Sequence, residues 1–401
     1  MNEILLQKAL QVIQVLESHQ YQAYLVGGAV RDHLLGREVA DADIATSALP
    51  DEVMQLFDKV FPTGIEHGTV LVRWEGESFE VTTFRQESDY EDFRHPNQVM
   101  FVTDIKEDLS RRDFTINAMA MDHNLSIIDP FHGRNDIHRQ MLRTVGNATE
   151  RFQEDPLRMM RAVRFSSQLG FIIERETINA IERNGSLLSH IAMERIAVEW
   201  EKLLAGSFIE LSLEALFLTK LYKYIPIISG SSIIQEKIQH IHVPIHSISA
   251  FISYLTISEP AVSVEEWTKS WKLSNQTKRH ANQIKDAIQI YRNGEADWAI
   301  YQVPSDLIEH FVLVYQLLHE VRLKAETIHQ IKRSLPIHNT QQLAVNGNHI
   351  KQLFPSETPG KWIQELLTIV EKSVVTGKLK NDRNTISEWV INERDETRPT
   401  N

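Results

Sequence analysis

Asp41 and Asp43 stand one residue apart, shortly after a glycine pair and an arginine–aspartate step, in the stretch YLVGGAVRDHLLGREVADADIA from Tyr24 to Ala45. If Asp41 to Ala45 is extended, the period of two along a strand sends both carboxylates to one face. Two hard oxygen donors there suit magnesium (Mg2+), which takes a couple of carboxylates and completes its shell with water and substrate phosphates. Upstream, the apolar run Tyr24 to Val26 ends at Gly27 and Gly28, and Ala29 to Leu35 then has helical spacing. Backbone amides at such a turn can face a phosphate without side-chain obstruction, and Arg31 adds positive charge beside them. Either motif alone is usually a solvated strand edge or a tight turn. The two in this order describe a site for a nucleoside triphosphate held by metal ions.

Further clusters follow along the chain. Arg111, Arg112 and Asp113 open RRDFTINAMAM, whose apolar tail suits a buried helix or strand, so an arginine fork lies at its mouth, able to bind triphosphate or ribose. In EDPLRMMRAVRF, Asp155, Arg158, Arg161 and Arg164 recur every three residues, which on a helix places them along one slowly drifting stripe. Such a stripe is commonly a solvated face, but an acid and an arginine one turn apart have a distinct meaning beside a nucleotide. Cytosine and adenine both present an amino donor next to a ring-nitrogen acceptor, whereas uracil and guanine present an acceptor next to a donor. Asp155 can accept from the amino group and Arg158 can donate to the ring nitrogen, so one fixed pair accepts C and A and rejects U and G. MERIAVEWEKLL reads as an amphipathic helix whose Glu194, Arg195 and Glu199 brace the preceding helix through an ion pair. His240, His242 and His246 have no acid at ligand spacing, so no metal site is expected there.

The elements that must position these residues change character along the chain. Up to about residue 130 the pattern is mixed: a leading helix, then strands at Tyr24 to Val26, Asp43 to Ala45, Thr69 to Trp74, Phe79 to Phe84 and Leu125 to Ile128. Beyond about residue 150 the spacing is helical throughout, with breaks near Pro226 to Ser232, Gly294 to Pro304 and Leu335 to Thr340. The polar, aperiodic segment Arg85 to Gln98 reads as a loop beside the site that could act as a mobile lever.

With 401 residues, 42% hydrophobic and 24% charged, the chain can bury a sizeable core in two or more domains. Zero cysteines exclude disulfides and thiolate metal sites. No apolar run reaches spanning length, and MNEILLQKALQVIQVLESHQ has helical spacing rather than the form of a signal peptide, so no membrane association and a cytoplasmic location are expected. A net charge of -12 argues against indiscriminate nucleic-acid binding and leaves room for a localised basic groove.

Taken together, GGAVRD with DAD, RRDFTINAMA, IIDPFHGRNDI, EDPLRMMRAVRF and ERIAVEWEKLL resemble, in order and spacing, the motifs of the class II tRNA nucleotidyltransferases of the polymerase-beta superfamily, and among them the CCA-adding enzymes of Bacillus type. The segment LAVNGNHIKQLFPSETPGKWIQELLTIVEKSVVTGKLKND resembles the family's tail. The resemblance implies an α+β fold: a polymerase-beta-like head with a mixed sheet at 1–146, then an all-helical neck at 147–209, body at 210–296 and tRNA-binding tail at 297–401. It implies addition of CCA to tRNA from CTP and ATP, with Asp41 and Asp43 holding magnesium and Gly28, Arg31 and Arg112 holding the triphosphate. Asp155 and Arg158 read the base, Arg161 and Arg164 line the nucleotide pocket, and Glu80 is the candidate for a third acid. A homodimer is implied by the resemblance alone. Two positions depart from the family pattern: Lys361 replaces a tail proline and His132 a frequent glycine. A poly(A) polymerase, an enzyme adding only CC or only A, and a catalytically inactive RNA-binding protein are the alternatives. The mixed-charge end ERDETRPTN speaks against the first, the retained loop at Arg85 to Gln98 against a CC-only enzyme, and the retained Asp41 and Asp43 against the last.

Overall fold

The computed structural model describes residues 3–39, 41–88, 98–319 and 321–396. Contacts divide the chain into two compact units, Met1–His246 and Ser247–Asn401.

The first unit opens with α1 (Glu3–Ser18), whose Ala9, Val12, Ile13 and Leu16 recur at helical spacing and are fully buried against a sheet. The sheet contains β1 (Ala23–Val26), β2 (Asp43–Thr46), β3 (Val60–Gly64), β4 (Thr69–Trp74), β5 (Glu77–Thr83), β8 (Ala120–Met121) and β9 (Ile127–Ile128), in the order β3-β4-β5-β2-β1-β8-β9. Only β2 and β5 run parallel, so the sheet is mixed as expected. Alternation along β5 buries Phe79, Val81 and Thr83 and leaves Glu80 exposed on the opposite face. The short α2 (Gly28–Leu34) follows β1, α3 (Pro50–Leu56) follows β2, and α4 (Ile105–Ser110) precedes the RRD motif.

The ends of the polar segment are not loop. Arg85–Ser88 (β6) and Gln98–Phe101 (β7) pair antiparallel. Residues 89–97, the centre of the expected lever, lie outside the described residues.

Two further expectations change. The Leu125 to Ile128 strand begins only at Ile127, because Leu125 has a positive φ of 64° and belongs to the preceding turn. Strand structure also reappears after residue 150: β10 (Met141–Leu142) pairs in parallel with β11 (Ile172–Ile173), a bridge too short to leave a period in the sequence. His132 opens α5 (Gly133–His138) at φ 62°, a left-handed position where the family's glycine is the unstrained choice.

The rest of the first unit is built on α6 (Ala148–Glu154), α7 (Leu157–Leu169), α8 (Arg175–Asn184), α9 (Met193–Leu204), α10 (Ile209–Leu218) and α11 (Ser232–Gln239). α7 and α9 pack closely at Gly206, just past the end of α9. There the Ser167 hydroxyl donates to the Leu203 carbonyl at 2.6 Å, and the Phe208 amide donates to the Ser167 carbonyl at 2.8 Å.

Among its described residues the second unit is helical, from α12 (Ile248–Ser258) to α20 (Arg383–Glu396). Phe251, Trp267 and Trp271 form one aromatic core, with the two indoles 5.3 Å apart, and Ile350, Val370, Val374, Ile386 and Val390 form another. The break expected across Gly294 to Pro304 contains a helix, Ala296–Gln302. No described helix is long and apolar enough to cross a membrane.

Gly206 generates a stability prediction. A Cβ there lies 2.6 Å from the Ser167 backbone, whereas one at Gly230 meets nothing within 4 Å. Gly206→Ala should therefore cost about 1–3 kcal/mol by overpacking while Gly230→Ala stays near neutral; equal urea midpoints for the two variants would refute the close approach.

Candidate active site

The turn between β1 and α2 carries Gly27 at φ 69° and ψ −133°, a conformation that a side chain strongly disfavours. A Cβ at Gly27 would stand 3.0 Å from Arg112 Nη1, so the glycine also lets that guanidinium lie against the backbone. Arg31, one turn into α2, is held from two sides. Its Nε and Nη2 donate to Asp32 at 2.9 Å each, its Nη1 donates to Asn117 Oδ1 at 2.7 Å, and its guanidinium lies 5.3 Å from the Phe165 ring.

Asp43 begins β2 and Asp41 precedes it, outside the strand; the alternation of exposed Asp41, buried Ala42, exposed Asp43 and buried Ile44 nevertheless continues through both. Ile44 pairs with Val81 in the parallel β2–β5 ladder, so the residues before them, Asp43 and Glu80, are neighbours on the opposite, exposed face. Although the residue keeps solvent contact, desolvation of its carboxyl by the protein packed around it raises the Asp43 pKa above its ordinary value, Glu80 and Asp41 push it the same way, and Arg112 opposes them. Mutual repulsion of this kind is what a bound cation relieves. Among the described residues no closed cage of three metal ligands forms. Two solvent-facing carboxylates are the donor set that suits an ion whose shell is completed by water and phosphate oxygens, so Asp41 and Asp43 fit magnesium.

The RRD motif sits where α4 ends. Arg111 and Arg112 both bind the buried Asp108, at 2.8 and 3.2 Å. Burial pushes the Asp108 carboxyl up, but the two guanidiniums outweigh it and hold it below its usual range. Asp113 accepts from the Phe114 amide and Asn117, and binds Arg161 through both Nε (2.8 Å) and Nη2 (2.5 Å).

The expected stripe of Asp155, Arg158, Arg161 and Arg164 is not one helix. Asp155 has φ −138° and ψ 98° and caps the end of α6, because Pro156 disfavours helical geometry in the residue before it; α7 starts at Leu157. The Asp155 carboxylate accepts from the Leu157 amide at 3.1 Å and pairs with Arg195 of α9 at 3.2 Å. Arg158, in the first turn of α7, is buried and donates to Glu154, the Arg151 carbonyl and the Arg111 carbonyl. Arg164 forms a 2.6 Å ion pair with Glu199 and stacks 3.8 Å from Phe165, while Arg161 lies 5.5 Å from the same ring. The expected bracing by α9 thus takes two forms, Glu199 to Arg164 and Arg195 to Asp155.

One cavity of about 460 Å³ is lined by Gly28, Arg31, Asp43, Arg112, Asp155, Arg158 and Arg161. Asp41 lines a neighbouring cavity that shares Asp43, and Arg164 lines neither, being drawn beneath Phe165 toward Glu199. Asn117, Phe165 and Arg195 also line the main cavity, although no sequence motif marked them as binding residues. Asn117 and Phe165 do lie inside the RRD and EDPLR segments, and that adjacency is the signal that could have found them.

A glycine turn, strand-borne acids on a mixed sheet and an arginine-lined cavity together define a nucleotidyltransferase of polymerase-beta type. The model of the Poly A polymerase head domain matches residues 23–143, and that of tRNA nucleotidyltransferase domain 2 matches residues 240–390. The CCA-adding enzyme of Oceanobacillus iheyensis is 43% identical over 96% of both chains, and that of Bacillus pumilus is 44% identical over 95% of this chain and 96% of its own. The crystal structure of the Bacillus stearothermophilus CCA-adding enzyme in complex with CTP superposes with a TM-score of 0.87 at 38% identity, covering 98% of each chain. The chain belongs to the CCA-adding enzyme family, the tRNA nucleotidyltransferases.

The Asp113–Arg161 pair sets a pH dependence of stability. Burial alone would raise the Asp113 pKa, but Arg161 overrides it and the carboxyl is held down to about 2. A depressed folded pKa contributes stability above the unfolded value and loses it as pH falls through the folded one. The contribution, on the order of 2 kcal/mol, should be complete above about pH 4 and fade toward pH 2. Urea unfolding of the wild type and Asp113→Asn across this range should show their stability difference shrinking on acidification; a constant difference refutes the assignment.

Proposed function

We propose that the chain adds C, C and A in turn to the 3′ end of tRNA, using CTP and ATP and no nucleic-acid template. The observation that carries this reading is the single cavity in which Asp43, the glycine turn and the triphosphate arginines meet Asp155 and Arg158. A cavity of that composition takes a whole nucleotide, phosphates and base together.

In the reaction, the tRNA 3′-oxygen bonds to the α-phosphorus as the bond to the bridging oxygen breaks; pyrophosphate departs and the hydroxyl proton passes to water. Arg31 and Arg112 bind and orient the triphosphate, and Gly28 keeps its approach open. Asp41 and Asp43 would hold magnesium, which when bound lowers the pKa of the attacking hydroxyl and stabilises the departing charge. Asp155 retains acceptor capacity beyond its bonds to Leu157 and Arg195, since a carboxylate offers about four lone-pair sites. Arg158 has further N–H groups besides those donated to Glu154, Arg151 and Arg111. The pair can therefore complement the amino and ring-nitrogen groups shared by C and A. Arg161 supports the cavity wall through Asp113, and Arg164 supports it from behind Phe165. Head 1–146, neck 147–209, body 210–296 and tail 297–401 remain the functional division, with body and tail gripping tRNA by shape and phosphate. The expected setting is the cytoplasm.

Incubation with tRNA lacking its terminal trinucleotide tests the reading. CTP alone should give two additions, and CTP with ATP should give CCA. Long adenosine tails, or only CC or only A, would assign one of the alternatives instead.

The double variant Asp41→Ala, Asp43→Ala should lose incorporation of both nucleotides while tRNA binding is nearly unchanged. More than a small residual activity would remove these acids from the metal site.

Base choice is tested at Asp155. Asp155→Ala should weaken CTP and ATP use together and relax exclusion of UTP and GTP, at about 1.5–3 kcal/mol for the lost charged hydrogen bond, or roughly one to two orders of magnitude in efficiency. Single-nucleotide incorporation with all four triphosphates measures it; wild-type selectivity in the variant would reduce Asp155 to a helix cap.

A further inference from the structure

Asp43 lines two cavities of the first unit. The second, about 650 Å³, lies over the exposed face of β4 and β5 and includes Asp41, Leu71, Arg73, Ser78 and Glu80. Across the antiparallel register Leu71 faces Glu80 and Arg73 faces Ser78, so the period of two places all four on one side of the sheet. Arg73 is exposed and donates through Nη1 to the Ser78 hydroxyl at 3.2 Å. The two cavities differ in charge. The first is lined by six arginines, the second by one, Arg73.

In-line displacement requires the attacking and leaving oxygens to stand on opposite sides of the reacting phosphorus. A triphosphate paired with the arginines of the first cavity directs its departing phosphates there. The attacking hydroxyl must then arrive from outside the arginine-lined cavity, and the second cavity adjoins it through Asp43 while sharing none of its arginines.

We propose that the second cavity receives the terminal nucleotide of the RNA acceptor strand, with Arg73 pairing to its phosphodiester and Ser78 setting the direction of the Arg73 guanidinium. Arg73 is thereby a positioning residue for the acceptor and makes no contact with the incoming triphosphate. The inference rests on the nucleotidyl-transfer reading given above.

Two measurements test it. Arg73→Ala should raise the KM for tRNA lacking CCA about tenfold, as expected for one lost charge-assisted contact, while kcat and the KM for CTP stay within about twofold; Arg73→Lys should recover most of the loss. Independently of turnover, a tRNA ending in 4-thiouridine should photocrosslink to the wild-type protein within the peptide Leu71 to Glu80, and the yield should fall in Arg73→Ala. An unchanged KM for tRNA, a parallel rise in the KM for CTP, or a crosslink to any other peptide overturns the proposal. If the wild type fails to extend tRNA at all, the nucleotidyl-transfer reading fails. If it extends normally and the Arg73 results are negative, only the acceptor site does.

Discussion

Six guanidiniums face one cavity, and their mutual repulsion must be contained before any substrate arrives. The protein does this by giving each a carboxylate: Asp32 to Arg31, Asp108 to Arg111 and Arg112, Glu154 to Arg158, Asp113 to Arg161 and Asp155 to Arg195. Burying such pairs has a desolvation cost that is recovered only when the remaining hydrogen-bonding capacity is also met. Asp113 shows how fully it is met, with both oxygens engaged by an amide, an asparagine and a guanidinium. Phe165 contributes a different kind of support. Its ring lies within 5.5 Å of Arg31, Arg161 and Arg164, and the negative face of the aromatic offsets part of the crowding of like charge.

This containment ties together segments that are far apart in the chain. Asp113 and Asn117 follow the RRD turn, Arg31 follows the glycine turn, and Arg161 lies on α7; their bonds join the sheet-bearing part of the first unit to the helix that carries Arg158. The Arg158 bond to the Arg111 carbonyl adds another link over the same junction. The glycine-turn side and the α7 side of the cavity are thereby joined by direct hydrogen bonds. A pair of side chains can discriminate base edges only if both are fixed relative to the reacting phosphate.

The acids of the sheet face sit under the opposite constraint. Asp43, Asp41 and Glu80 are crowded on one sheet face; desolvation first, and then the charges of Glu80 and Asp41, raise the Asp43 pKa, with Arg112 opposing them. The cavity arginines each have a carboxylate partner, whereas Asp43 stands beside two other acids and one guanidinium.

Local chemistry made much of this legible in the sequence. The glycine pair, the period of two at Asp41 and Asp43, and the helical spacing of α7 and α9 depend on neighbours within a few residues, so the sequence by itself determined the turn, the shared face of the acids and the helices that carry the arginines. Pro156 was equally local, and its effect on the preceding residue explains why Asp155 leaves the helix. The short β10–β11 pairing left no period to read, since two residues per strand are too few. Only the tertiary structure decided which charge pairs with which. Arg195 meets Asp155 across 40 residues, Asp113 meets Arg161 across 48, and Arg164 is withdrawn from the cavity by Glu199. Several acids compete for several guanidiniums, each able to satisfy any other, and spacing along the chain does not rank them. The packing of α7 on α9 and of both against the sheet fixes the distances, and distance decides the pairing.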